Sequence, residues 1–214
     1  MAMQNLVIDD MKVSAFKESA FVKPLSLEFK QNGKQRKWDM IKVHDSVIIV
    51  IFNINRQKLI LVKQFRPAIY YSSVPAVDKE NGTIDTSKYP PSLGITLEFC
   101  AGIVDKSKSL VETARDEVLE ECGYDVPIDK IQKFKTVRAG VSTQGAYQTF
   151  FYVEVTDNMR INQGGGLVDE GEVIDVVEMS IPEAEAYAEA LDNLSPPGFL
   201  FGLLWFLKNK STTL

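Results

Sequence analysis

The sequence predicts an α/β protein, and three observations carry that reading. Four runs rich in β-branched and aromatic residues, VIIVIF at 47–52, KLILV at 58–62, QTFFYVEV at 148–155 and VIDVVEM at 173–179, read as strands. Between the second and third lies a segment with helix start and stop signals, from Ser109 to Gly123. Two further helical stretches close the chain, PEAEAYAEAL from Pro182 and GFLFGLLWFLK from Gly198.

In order along the chain, Leu25 to Phe29 alternates and then passes through Gln31-Asn32-Gly33-Lys34 into a second extended run, Trp38 to Val43. An Asn-Gly between two such runs predicts a hairpin. The 47–52 and 58–62 runs, joined by a polar turn, are expected as buried strands of one sheet. Residues 72–94 carry Pro75, Pro90, Pro91 and Gly82 without periodicity, which predicts a long loop, either functional or disordered. Gly164-Gly165-Gly166 opens a segment that turns acidic at Asp169, Glu170 and Glu172, and three glycines in a row predict a mobile backbone. Pro182 suits a first helical turn, and the last helix, apolar nearly all round, belongs in a core or an interface.

At 214 residues the chain suffices for one large domain, or one with a small companion. A net charge of −5 and no basic block exclude a general nucleic-acid binder. The longest apolar run, Phe199 to Leu207, is too short to cross a bilayer, so no membrane partner is expected. The opening MAMQNLVIDDMKV has no apolar signal core, and with two cysteines, Cys100 and Cys122, it predicts a cytoplasmic protein with free thiols. His44 is the single histidine and reads as a polar residue at a strand end, which excludes a histidine-based metal site.

The chemistry concentrates between Glu98 and Tyr124. Ser109 and Glu112 have the spacing of a capping box, and Gly123 ends the helix. Leu110, Val111, Ala114, Val118 and Cys122 form an apolar stripe with Glu117 and Glu121 along its border. Asp116, Glu117, Glu120 and Glu121 crowd the last turns, where like charges repel and the helix dipole disfavours anions. Either that face is solvated, or a cation offsets the cost. Carboxylates held at a core boundary suit hard divalent ions, Mg²⁺ in particular.

Read from Gly102, the stretch resembles the Nudix box, G-x5-E-x7-R-E-U-x-E-E-x-G-U, in which U is bulky and apolar. Gly102, Glu117, Val118, Glu120, Glu121, Gly123 and Tyr124 fall at seven of its nine fixed positions without a gap. Two positions depart: Lys108 stands where the box has its first glutamate, and Asp116 where it has arginine. One reading is that they form the same supporting pair with charges exchanged; the other is two independent surface residues. LVKQFRP at 61–67, LEFCAGIVD before the box, GGGLVDEGEVIDV, HDSV at 44–47, ECGY and the FG-x-x-WFL ending resemble the branch that cleaves ADP-ribose and nucleotide sugars, the animal UDP-sugar pyrophosphatases above all. The likeness runs from about Pro24 onward.

That resemblance implies a Nudix α/β/α sandwich with a mixed sheet over 46–214, preceded by a small β-region over 1–45 that helps build a homodimer. It implies metal-dependent hydrolysis of a nucleoside diphosphate sugar, UDP-glucose to UMP and glucose 1-phosphate, with ADP-ribose as the alternative substrate. Mg²⁺ is the implied cofactor, with Mn²⁺ as an alternative. Glu117, Glu121, Glu172 and the Ala101 carbonyl become expected metal ligands, and Glu120 a further ligand or a supporting catalytic residue. Glu170 becomes the expected general base, with Asp169 as the alternative. Gly102 is expected to let the backbone turn so that the Ala101 carbonyl faces the metal. Arg66 is expected to grip phosphate, unless it serves a structural salt bridge. Trp38 is expected either to stack on the base or to pack a dimer seam. A Nudix-like module that binds nucleotide without turning it over is the reading from another class, and the retained acidic set speaks against it.

Overall fold

The computed structural model describes residues 3, 6–104, 107–167, 169 and 171–211. Strands β1 (Lys23–Gln31) and β2 (Lys34–Lys42) form the expected hairpin as a separate two-stranded sheet. Asn32 and Gly33 both have positive φ, 52° and 78°, the turn geometry that matches strand twist. The register sets Leu25 against Met40 and Leu27 against Trp38, so with Phe29 these side chains share one face. That face is open: Leu27 is 52% exposed and Trp38 44%.

The main sheet has seven strands: β3 (Ser46–Asn53), β4 (Lys58–Phe65), β5 (Ile95–Glu98), β6 (Cys100–Ile103), β7 (Gln132–Arg138), β8 (Tyr147–Val155) and β9 (Ile174–Ser180). The order is β5-β4-β3-β8-β7, with β6 on β3 and β9 on β4. It is mixed, because β3 and β8 run parallel while the other pairs are antiparallel. Strands β3 and β4 pair only from Ile51 to Asn53 and then diverge. The consecutive β5 and β6, bent at Phe99, fill the wedge between them. The divergence leaves a cleft at one end of the sheet.

Helices α1 (Pro67–Ser73), α2 (Leu110–Cys122), α3 (Ile181–Glu189) and α4 (Pro197–Asn209) complete the fold. Ala114, Val118 and Cys122 of α2 pack on Val47, Ile49, Ile51, Ile60 and Val62. Ala184 of α3 and Phe199, Leu203 and Phe206 of α4 pack on the alternate residues Ile48, Val50, Phe52, Leu59 and Leu61. Strand β3 is apolar on both faces because both are covered. The result is the expected α/β/α sandwich. Among the described residues no helix is long and apolar enough to cross a membrane.

The 72–94 segment is ordered by a core of its own. Tyr70, Val74 and Ile84 are buried together against Met11, Phe65, Tyr89 and Leu93. Its prolines sit beside short helical turns at Ala76–Asp78 and Pro91–Gly94.

Candidate active site

Helix α2 is built as its sequence requires. The Ser109 side chain accepts from the Glu112 N–H, and the Glu112 carboxylate accepts from the Ser109 N–H at 2.8 Å, a closed capping box. Gly123 ends the helix in the left-handed region at φ 78°, and its N–H donates to the Leu119 carbonyl. Packing the Ala114, Val118 and Cys122 stripe on the sheet turns Glu117, Glu120 and Glu121 toward the cleft.

The cleft is a cavity of about 460 Å³, of the size that takes a small-molecule ligand. Its charged lining comes from Glu117, Glu120 and Glu121 of α2, Glu172 of the 167–172 loop, and the pair Arg66 and Glu98. Ala101 lines it too, and its N–H donates to Glu121 Oε2 at 3.1 Å. Glu172 is held in its loop by the Leu167 N–H, 3.0 Å from Oε2. Of the expected site residues, Ala101, Glu117, Glu120, Glu121, Glu172 and Arg66 are therefore brought together. Glu170 lies outside the described residues, and Asp169 is exposed in the same loop. Trp38 is not in the cavity lining; it sits on the hairpin, its Nε1 donating to the Ser142 carbonyl at 2.9 Å.

Gly102 has a reason other than the turn expected of it. It lies in β6 without a left-handed φ, and a Cβ there would fall 1.8 Å from Glu117 Oε1. The glycine is needed because the Glu117 carboxylate rests on it. The glycine triplet also departs from its expectation of mobility. Gly164, Gly165 and Gly166 all have positive φ and dock on the end of α2. The Gly165 and Gly166 N–H groups donate to the carbonyls of Glu121 and Glu120 at 2.9 and 3.1 Å. They satisfy two carbonyls the helix end leaves without partners, and tie the loop carrying Glu172 to the helix carrying Glu117 and Glu121.

Burial, and then its neighbours Glu121, Glu120 and Glu172, push the Glu117 carboxyl up to about 8. Burial likewise pushes Glu121 up to about 7, although the Ala101 N–H and the Cys100 thiol favour its charged form. Arg66 favours the charged form of Glu121 without offsetting its burial, because Glu98 engages the guanidinium in a two-bond fork, Nε to Oε1 at 2.8 Å and Nη2 to Oε2 at 2.7 Å. Burial alone would push the Glu98 carboxyl up; Arg66 and the Thr96 hydroxyl more than offset this and hold it below its ordinary value. The cavity thus ends in carboxyl groups whose charged forms burial and mutual repulsion disfavour, a set of oxygen donors that fits a hard divalent cation. Among the described residues these groups do not close into a preformed ligand cluster.

The raised carboxyls set a pH dependence for the metal-free protein. Between the ordinary glutamate range and about pH 8 the folded state holds protons that the unfolded chain has released. The contribution of these two groups to stability is therefore greatest below that range and is lost as pH rises through about 7 and 8. Melting in chelator across pH 5 to 8.5 should show a falling Tm, and Glu117→Gln should flatten the slope; a slope unchanged in that variant would dissociate it from Glu117.

Lys108 and Asp116 are paired at 2.7 Å. The charge-exchanged pair exists, linking the segment before α2 to its solvent side. Both are partly exposed, so a coupling below about 1 kcal/mol is expected. Lys108→Asp with Asp116→Lys should be better tolerated in Tm than the sum of the single changes; simple additivity would remove the pair from the site's support. Arg115, 3.6 Å from Asp116, keeps the reversal from being complete.

A mixed sheet between helices, with a capped helix presenting carboxylates to a terminal cleft, is the architecture of a Nudix hydrolase. The sequence matches the NUDIX domain over residues 42–197, and the chain belongs to that family. It is 39% identical over 208 residues to the uridine diphosphate glucose pyrophosphatases NUDT14 of Bos taurus and Mus musculus, which covers 93% of this chain and 94% of each relative. The GDP-mannose pyrophosphatase of Enterobacter sp. (strain 638) is 31% identical over 72% of this chain and 71% of its own. A crystal structure of an ADP compounds hydrolase aligns with a TM-score of 0.63 at 16% identity, over 94% of this chain and 95% of that one, a likeness of fold.

Proposed function

We propose that the chain hydrolyses the pyrophosphate bond of a nucleoside diphosphate sugar, UDP-glucose to UMP and glucose 1-phosphate, with Mg²⁺. The observation that carries this is the cavity itself, where burial and neighbouring carboxylates push up half-buried Glu117 and buried Glu121 in a lining that also holds Arg66. The uridine diphosphate glucose pyrophosphatases aligned over nearly the whole chain support the substrate.

Glu117, Glu121, Glu172 and the Ala101 carbonyl would hold the metal, with Glu120 beside them. When bound, the metal supplies charge that orients the phosphates and stabilises the developing oxyanion. Arg66 keeps a guanidinium edge for a phosphate oxygen while Glu98 fixes its plane. The Gly164–Gly166 contact sets Glu172 at a fixed offset from α2. Glu170 is the proposed base for the attacking water, on the family resemblance.

The protein is proposed to act as a homodimer in the cytosol. An isolated two-stranded sheet is marginal in water, and the Leu25, Leu27, Phe29, Trp38 and Met40 face gives a second copy an apolar seam. Leu27→Glu should shift sedimentation to monomer; a wild-type monomer would end this proposal. Both cysteines are free and buried, which suits a reducing compartment.

Incubation with Mg²⁺ and UDP-glucose, ADP-ribose, ADP-glucose or GDP-mannose tests the function. Preferred release of UMP is expected. Preferred release of AMP from ADP-ribose would replace the substrate, and no release from any of them would leave a binding module.

A further inference from the structure

The cavity is lined from both faces of the sheet, and the lining from the α4 face carries no charge. Ser46 and Ile48 of β3, like Gln148 of β8, have the strand parity of Val50, Phe52, Phe150 and Tyr152, which pack under α4. They line the cavity with Phe99, Pro196 and Phe199, and none of these six is ionisable. The carboxylates and Arg66 line its other side. A substrate with an anionic diphosphate and a neutral ring matches such a divided cavity.

We propose that this neutral half seats the sugar of the nucleotide sugar, and that Gln148 and Ser46 are its specificity residues. The inference rests on the nucleotide-sugar reading above and extends it. Ser46 and Gln148 are register partners on the parallel strands β3 and β8, which sets their backbones about 4.8 Å apart with both side chains on one face. Among the described residues neither side chain has a hydrogen-bond partner, although both are half-buried. Gly198 makes room for the amide at the start of α4: a Cβ there would lie 3.1 Å from Gln148 Oε1. A hydroxyl and a carboxamide can each donate and accept, which is what a ring of sugar hydroxyls needs.

A nucleobase fits this half less well, because neither aromatic ring of its described lining is open to stack on it. Phe199 and Phe99 are each 1% exposed, and their rings are engaged with one another at 4.7 Å, Phe199 also with Tyr187 at 5.6 Å. The side walls offer apolar contact for the C–H groups of a sugar ring and little more.

The test changes the sugar and the base separately. kcat/KM is measured on UDP-glucose, on UDP-galactose, which inverts one hydroxyl, and on ADP-glucose, which changes only the base. Wild type, Gln148→Met and Ser46→Ala are compared, the methionine keeping the side-chain length. The proposal expects the glucose-to-galactose ratio to change by about three- to tenfold in Gln148→Met, the worth of one hydrogen bond. The UDP-glucose to ADP-glucose ratio should stay within experimental error. A shift in the base ratio instead, or no shift in either ratio with an active, folded variant, overturns it. Wild type inactive on all three compounds would instead bring down the nucleotide-sugar reading on which it stands.

Discussion

Replacing Glu121 with Gln lowers turnover of UDP-glucose by on the order of 10²–10³-fold and raises the Tm of the metal-free protein. Both effects have one origin. Glu121 is 4% exposed, its carboxyl is pushed up to about 7 by burial, and Glu172 adds to the repulsion. Above that pH the ionised group costs the fold stability, a cost that a bound cation would remove. The amide keeps shape, and its oxygen can still accept from the Ala101 N–H. It discards the charge proposed to hold the metal. Steady-state kinetics at saturating Mg²⁺ and melting in chelator at pH 8 measure the two effects. Near-wild-type turnover would remove Glu121 from the metal site.

Gly102→Ala is expected to lower kcat by about 10²-fold while leaving Tm within a few degrees. Its new methyl group would meet Glu117 Oε1 at 1.8 Å and Cδ at 2.0 Å, closer than any real contact. The backbone of β6 accepts alanine, since Gly102 has no left-handed φ. Glu117 must therefore be what moves. The added loss in the Gly102→Ala, Glu117→Gln double variant should be small, because both changes act through one carboxylate. Full additivity of the two losses, or an active Gly102→Ala, would contradict this account of the glycine.

Helix α2 was legible to the residue because its signals are local. Ser109, Glu112 and Gly123 act within one turn, and the apolar stripe needs only the helical period. Strand β7 was missed because QKFKTVR is an edge strand whose side chains are mostly half-buried or exposed, so its charged residues mask the alternation. Strands β5 and β6 are four residues each and bend at Phe99, too short for a period to show. The short α1 hid behind Pro67, although proline at a first turn was a usable signal.

The site was legible where chemistry is carried by spacing and obscure where it depends on contacts across the fold. Composition suggested a mobile Gly164–Gly166, since nothing local shows that the carbonyls of Glu120 and Glu121 await it. The role of Glu98 is not carried by any spacing; a carboxylate inside the apolar run LEFCAG is the one local sign that a cation lies opposite. Gln148 lies in no motif, and HDSV and LVKQFRP give Ser46 and Gln64 a family likeness but no role; the three reach the cavity because β3, β4 and β8 each have an end beside it. For the Lys108 and Asp116 departures from the box the sequence leaves two readings open, and the 2.7 Å contact selects the ion pair.

The central claim is that α2 and the Glu172 loop form a metal-dependent pyrophosphate site. Its most direct test is product analysis of UDP-glucose cleavage with Mg²⁺ and after chelation. The account predicts UMP and glucose 1-phosphate in equal amounts with metal, and loss of both on chelation, restored by adding Mg²⁺ back. Equal rates in chelator, or release of UDP and free glucose, would contradict it.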